Sequence, residues 1–215
     1  MSDSLPDPIT VIPFLFALAF VPIVAVMVTA YTKIVVVFAL LRNALGLQQV
    51  PPPMVTNGLA LVLTWFIMTP VIQLIMASMD PVTGLPPAGM SLADLLEISK
   101  EPMRQFLQTH ASEREVGFFV ETAKRISAPG SAISPTDFSV LIPAFTISEL
   151  TEAFLIGFML FLPFVVIDLI VANVLLALGM MMMPPPVVSL PFKLLLFVML
   201  DGWSRLSHSL TLSYF

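Results

Sequence analysis

The chain contains no cysteine. That excludes a disulfide framework and any thiolate metal site, and it leaves the compartment open. Histidine is nearly as scarce. His110 and His208 stand far apart with no neighbouring ligand pattern, so each reads as an exposed or structurally bonded imidazole. Nine basic residues face fourteen acidic ones, for a net charge of −5. A nucleic-acid partner calls for a clustered basic face, and this balance argues against one. No HExxH, GxSxG or Gly-rich phosphate loop is present, so the usual hydrolase and nucleotide signatures are missing. Asp168 and Asp201 can be pictured as an intramembrane aspartyl dyad, which needs two carboxylates close enough to share a proton. Nothing in their flanking residues supports it. The reading is a non-enzymatic chain with no cofactor and no metal.

Charge itself is the scarcest commodity. Only 11% of the 215 residues are charged and 58% are hydrophobic, where soluble domains run near 25% and 45–50%. This is a membrane-class composition. The length suits one compact unit or, better, one protomer of a larger assembly.

Along the chain, Met1 to Pro13 is polar and acidic, with Asp3 and Asp7, and lacks the positively charged start of a secretory signal peptide. Phe14 to Leu41 reads as a first long helix that Pro22 kinks. It reaches the roughly 20 apolar residues of a lipid span only by including Lys33. Either Lys33 snorkels from an imperfect span, or the helix packs inside an oligomer. Arg42 to Pro53 reads as a turn, because Pro51, Pro52 and Pro53 cannot continue a helix. Met54 to Met79 is a second long helix marked by Asn57, Thr64, Pro70 and Gln73. Arg42 and Lys33, with no nearby acid, put the tip between these helices on the cytoplasmic side.

Asp80 to Asp137 is the one conventionally polar region, with eight acids against five bases. If the first tip is cytoplasmic, this region is periplasmic. Ser91 reads as an N-cap, with Asp94 three residues on as a capping-box variant. Leu92, Leu95, Leu96, Met103, Phe106 and Leu107 supply a helical stripe. A second amphipathic helix is expected over Ser112 to Ile126. Helices this short cannot bury their stripes alone, so they should pack on hydrophobic neighbours. Ser134-Pro135-Thr136-Asp137 reads as the next helix start, with a cap, a proline at the first position and an acid in the first turn. Three organisational blocks follow: 1–79, 80–137 and 138–215.

The last block is organised by Pro143 to Trp203. It is almost wholly apolar yet carries Glu149, Glu152, Asp168, Lys193 and Asp201. Ionisable groups at membrane depth normally face protein or water, because each costs a few kcal/mol in lipid. Glu149 and Glu152, three apart, share a helix face, and Asp201 and Arg205, four apart, could pair. Pro143 is expected to kink the helix. The fifteen residues between Glu152 and Asp168, interrupted by Gly157 and Pro163, are too short for an undisturbed span. Val187 to Leu200 reads as the final helix, followed by a polar, serine-rich tail. Met180, Met181, Met182 and Met183 sit at a bend shaped by Gly179 and by Pro184, Pro185 and Pro186. Methionine is unbranched and polarizable and re-packs readily. Four methionines could simply end a hydrophobic helix. A ring of such loops, one per subunit, could instead form a compliant apolar gasket, since a loop at membrane depth is tolerated where it lines a cavity. The buried ionisables read either as an ion-coupling pathway through Asp168 and Lys193, as in a transporter, or as intersubunit ion pairs that fix register. No opposed pair of broken half-helices with internal symmetry is visible, which favours the structural role.

SEL, IGF, LPF, ID, LGMMM, SLPFKLLLFV and DGW, in this order, with RNALGLQQVPP and NGLALVLT upstream, resemble the FliP/SctR family, the major export-gate subunit of bacterial type III secretion systems. The resemblance implies an all-α membrane protein of two long kinked helical hairpins with a small helical insertion. It implies that about five copies wind into a helical hetero-oligomer with two smaller subunits, FliQ/SctS-like and FliR/SctT-like. That complex stands in the inner membrane at the centre of the secretion basal body, partly raised out of the bilayer plane, and passes unfolded proteins. The methionine loop is taken to seal its channel. The polar start of the chain leans toward the injectisome, virulence-associated branch, since flagellar members commonly begin with a leader. Position 155 is leucine, where relatives are expected to carry a basic or polar residue, so no ion pair is carried over there.

Overall fold

Thr32, the second residue of a long helix, hydrogen-bonds through its hydroxyl back to the carbonyl of Val26 at 3.0 Å, and this marks where the first hydrophobic helix breaks. In the computed structural model, which describes residues 19–20, 22–47, 50–77, 92–127 and 132–215, residues 22–27 are helical, 28–30 form a turn, and α1 runs over Tyr31–Leu45. The break falls after Pro22, at Thr29, where two threonine side chains take up the Val26 carbonyl. α1 also extends past Leu41, so the expected turn begins only at Gly46. There the backbone turns left-handed (φ 76°). Gly46 N–H bonds the Asn43 carbonyl and Leu47 N–H the Arg42 carbonyl, a Schellman closure that a residue without a Cβ enters freely.

α2 (Pro53–Ile67) starts with proline at its first position, where the missing N–H is no loss. It stops at Met68, and α3 (Thr69–Met76) follows. The expected single helix is thus two, because Pro70 offers no N–H and its ring crowds the carbonyl four residues back. α4 (Leu92–His110) and α5 (Glu113–Ile126) form the insertion. The expected Ser91 cap lies outside the described residues. α5 begins after Ser112, with Glu113 and Glu115 in its first turn and Lys124 and Arg125 in its last, each sign matched to the helix dipole. α3 packs on α4, and α4 and α5 pack on α6. Phe106, Leu107 and Val120 are buried there.

α6 (Phe138–Ala177) is a single 40-residue helix, about 60 Å long at 1.5 Å per residue. It passes through Gly157 and Pro163 without ending, contrary to the interruption expected there, and it is continuous through Pro143 as well. Its N-cap residue is Asp137, not Ser134. The Asp137 carboxylate accepts from Ser134 N–H at 2.9 Å, so Pro135 and Thr136 form a turn ahead of the helix. In the first half of α6, Val140, Leu141, Ala144, Phe145, Ser148, Glu149, Ala153 and Gly157 make a buried stripe. Beyond Gly157 only Phe164 and Leu175 are buried. α6 is closed by Gly179 (φ 74°) through bonds from Gly179 N–H to Leu176 and Met180 N–H to Leu175. This is the same Schellman geometry as at Gly46.

α7 (Pro185–Met199) returns along α6, and α8 (Gly202–Leu212) follows after a 59° bend. The polar tail expected after Leu200 is therefore helical, with Leu206, Leu210 and Tyr214 facing inward at four-residue spacing. The bend is built at Asp201, in left-handed conformation (φ 50°), and at Gly202, where a Cβ would overlap the Phe197 ring. Trp203 then packs edge-on against Phe197 (5.6 Å) and Phe38 (5.7 Å), joining α7, α8 and α1. α1 is the centre of the body: Ile34, Val37, Phe38, Leu41, Ala44 and Leu45 are all buried, chiefly against α6. Each such side chain contributes roughly 1.5–3 kcal/mol.

Among the described residues there is no strand. Pro53–Met76 and Phe138–Ala177 are long and apolar enough to cross a membrane, and α7 with α8 is a third candidate if the bent pair counts as one span. α6 is about twice the ~30 Å thickness of a hydrocarbon core, so part of it must lie outside lipid.

Candidate functional site

Lys33 is the most deeply buried cation of the described chain, 1% exposed. It neither snorkels to water nor needs a second subunit. Its ammonium lies 3.2 Å from Glu149 Oε1 and 2.7 Å from Glu152 Oε2, and it sits 4.1 Å from the centre of the Tyr214 ring. The Tyr214 hydroxyl donates to the other Glu149 oxygen. Glu149 and Glu152 do share one face of α6, as their spacing requires, and both reach the same lysine. Burial, and then the neighbouring Glu149 carboxylate, push the Tyr214 hydroxyl well above its ordinary value. The phenol stays a donor. The Tyr214 ring stacks on Phe106 (6.2 Å, 11°) and lies 5.0 Å from the His110 ring. His110 Nδ1 is 2.8 Å from the Phe106 carbonyl oxygen, so it is a structurally bonded imidazole. One cluster therefore pins α1, α4, α6 and the end of the chain together. Truncating one partner of such a buried pair typically costs 3–5 kcal/mol, because the other charge is stranded.

The second cluster joins α6 to α7. Lys193 donates to Asp168 Oδ2 at 2.6 Å and to the Ala44 carbonyl oxygen at 3.3 Å. The Ser189 hydroxyl donates to Asp168 Oδ1 at 2.5 Å. Both carboxylate oxygens are thus engaged, which supports a structural role over ion coupling. Ala44 lies in the last turn of α1, whose carbonyls have no partner within the helix and whose dipole end favours a cation. Asp201 joins neither cluster. It stands eight residues beyond Lys193, about 12 Å along the helix direction, at the bend. Arg205 donates its backbone N–H to the Asp201 carbonyl at 3.0 Å, and no Asp201–Arg205 side-chain ion pair occurs among the described residues. The geometry brings Asp168 to Lys193, not to Asp201.

The four methionines lie at the far end of the α6–α7 hairpin. Met180 and Met183 are partly shielded, Met181 is exposed, and Met182 is fully exposed. Gly179 supplies the left-handed turn before them. Pro184 is the N-cap of α7, with Pro185 and Pro186 in its first turn, where proline is pre-organised.

Three residues of these clusters were not singled out as site residues from sequence. In the sequence Lys33 reads only as an awkward charge in a span, Tyr214 as part of a polar tail, and Ser189 stands out in no way. A signal existed for Ser189, which precedes Lys193 by four residues and so shares its face. None existed for Tyr214, whose partners lie far away in the chain.

Fold and clusters together define an all-helical membrane protein whose apolar helices are cross-linked by buried ion pairs and whose longest hairpin ends in bare methionines. The chain belongs to the FliP family, whose sequence profile matches residues 14–210. It is 46% identical over 219 residues to Yop proteins translocation protein R of Yersinia pestis, covering 98% of both chains. It is 51% identical over 199 residues to Pathogenicity-related ORF2 of Xanthomonas campestris pv. glycines, covering 92% of both. Flagellar biosynthetic protein FliP of Pectobacterium carotovorum subsp. carotovorum is 43% identical over 201 residues, 94% of this chain and 76% of its own length. The fuller matches favour the injectisome branch over the flagellar one.

Proposed function

We propose that this chain is a core, non-catalytic subunit of the type III secretion export gate in the bacterial inner membrane. About five copies, wound with the two smaller FliQ/SctS-like and FliR/SctT-like subunits, form the channel through which unfolded proteins cross. The observation that carries the reading is the match over 98% of both chains to a protein named for Yop translocation. Two physical features support it. A 40-residue α6 at about 60 Å outreaches a lipid core, which suits a gate at the centre of the basal body, raised from the bilayer. The exposed Met181 and Met182 give each copy a deformable apolar tip, which suits a gasket made by Met180 to Met183. The insertion over 80–137 takes the periplasmic side. Glu149, Glu152, Asp168, Lys193 and Asp201 act structurally, the first four by clamping helices within the subunit.

The test is deletion of Met180 to Met183 in cells that make the complete apparatus. The expected result is an assembled complex and a membrane newly permeable to small solutes. An intact complex with an unchanged leak rate overturns the gasket.

A further inference from the structure

His110 is the last residue of α4, and each of its ring nitrogens faces a backbone carbonyl oxygen. Nδ1 lies 2.8 Å from the oxygen of Phe106, one turn back in α4, and Nε2 lies 3.4 Å from the oxygen of Tyr214, near the end of the chain. A carbonyl oxygen only accepts, so both contacts call for an N–H. Neutral imidazole carries one N–H, and imidazolium carries two. The shorter contact has the length of an ordinary hydrogen bond, so the single proton of the neutral ring belongs on Nδ1. Nε2 then turns a lone pair toward the Tyr214 oxygen, and two acceptors face each other. A second proton on the ring converts that contact into a charge-assisted hydrogen bond.

No other donor serves the Tyr214 carbonyl among the described residues. Tyr214 is buried, and an unmatched oxygen there is costly. His110 is half-buried, within reach of solvent protons. Its surroundings accept a charge. α3, which packs on α4, has no titratable residue. Lys33 of α1 lies over the Tyr214 ring, where Glu149 and Glu152 of α6 engage it at 3.2 and 2.7 Å. On α4 itself Arg104 pairs with Glu101. Glu113 at the start of α5 is exposed, as are Arg205 and His208 of α8. None of these forms an ion pair with His110. The Phe106 and Tyr214 rings are centred 4.5 and 5.0 Å from the imidazole, close enough to attract a cation.

We propose that His110 is a proton-operated latch between the insertion and the end of the chain, closed when the imidazole is protonated and loosened when it is neutral. The latch holds α4 to the same Tyr214 whose hydroxyl bonds Glu149 and whose ring lies under Lys33. Protonation therefore tightens the whole clamp. The extra bond exists only in the folded, protonated chain. Stability from it is complete where imidazole is charged and is lost as pH rises through the range between about pH 5 and 8. The latch rests on the export-gate reading only for the compartment that sets it, the periplasm. The purified chain carries the device by itself.

The chain has two histidines, so His208→Gln leaves His110 as the only imidazole. Nitrogen NMR of that variant in detergent should show the neutral ring protonated on Nδ1 and bare on Nε2, and both nitrogens protonated in the folded chain at acid pH. A neutral ring protonated on Nε2 overturns the latch, whether or not any His110 variant folds. Melts of the native and His110→Gln chains give the second reading. The native advantage should shrink by roughly 2–4 °C between about pH 5 and 8. Over the same range, hydrogen exchange of 104–112, corrected for its intrinsic pH dependence, should quicken about fivefold in the native chain only. His208→Gln should keep the native profile. A native advantage that stays flat or grows with pH also overturns the proposal. If the purified chain behaves as expected but forms no complex with other secretion subunits, the export-gate reading has failed and the latch has not.

Discussion

Lys193 bridges two helices that never touch in sequence: its ammonium meets Asp168 at 2.6 Å and the Ala44 carbonyl oxygen at 3.3 Å. This joins the methionine-tipped hairpin to the last turn of α1, the most buried helix of the body. Below that point the hairpin keeps little other buried contact, with only Phe164 and Leu175 of α6 inside beyond Gly157. The lysine is the fastening between a well-packed base and an exposed arm.

The two ends of that fastening are unequal. Lys193 is 5% exposed, whereas the Asp168 side chain is 36% exposed and also holds Ser189. Asp168→Ala strands a buried ammonium and should cost about 3–5 kcal/mol, while Lys193→Met leaves a carboxylate that water can reach and should cost less, roughly 2 kcal/mol. The double variant should recover part of the loss. Thermal melts of the four proteins in detergent check this, and strictly additive losses refute the coupling.

Tyr214 offers a milder probe. Tyr214→Phe keeps the stack on Phe106 and the ring beside Lys33 and removes only the hydroxyl donated to Glu149. A hydrogen bond to a charged group contributes about 1.5–3 kcal/mol, and that is the expected loss near neutral pH. The folded hydroxyl holds its proton more tightly than the ordinary value of 10.0, so the unfolded chain ionises first as pH rises. Stability from this group is complete below that value and falls above it. The melting difference between native and Phe proteins should shrink above that pH, and a difference that grows there contradicts the assignment.

The methionine tip separates stability from function. Met182 is wholly exposed and Met181 nearly so, and surface substitutions away from special features stay within about 0.5 kcal/mol. Met181→Ser with Met182→Ser should leave the melting of the isolated subunit unchanged yet raise small-solute leak through the assembled gate. Leucine at both positions should restore the seal at some loss of export rate, because a branched side chain re-packs less readily. Equal leak from the native and serine proteins would count against the tip.

Much of this was legible in the sequence, and the limits are physical. Gly179 announces a helix end because only a missing Cβ makes its positive φ inexpensive, whereas the expected turn at Arg42 falls four residues short of Gly46, which closes α1 in the same way. Glu149 and Glu152 announce a shared face through helical spacing. Proline was less reliable: it broke the chain near Pro70 but not at Pro143, where the buried stripe of α6 packs on α1, nor at the exposed Pro163, whose continuity the packing does not explain. Local rules cannot weigh that tertiary support. Nor can they name the partner of Lys33, which lies 119 residues away at Glu152. α8 was hidden by its serines, although Leu206, Leu210 and Tyr214 repeat every four residues. An even spacing of apolar residues should have outweighed polar composition.

The contact of α1 with α6 turns on Gly157. A Cβ built there overlaps the Leu40 side chain, so Leu40 occupies the space that any larger residue at 157 would need. In an exposed helix, Gly→Ala gains roughly 0.5–1 kcal/mol. Here overpacking, which costs about 1–3 kcal/mol, should outweigh that gain, giving a net loss near 1 kcal/mol. Leu40→Ala in the Gly157→Ala background makes room for the new methyl group. The double variant should therefore be more stable than the sum of the two single losses, measured by detergent melts of all four proteins. If Gly157→Ala stabilises, or if the losses simply add, the close approach of these helices is not what holds α6 against α1.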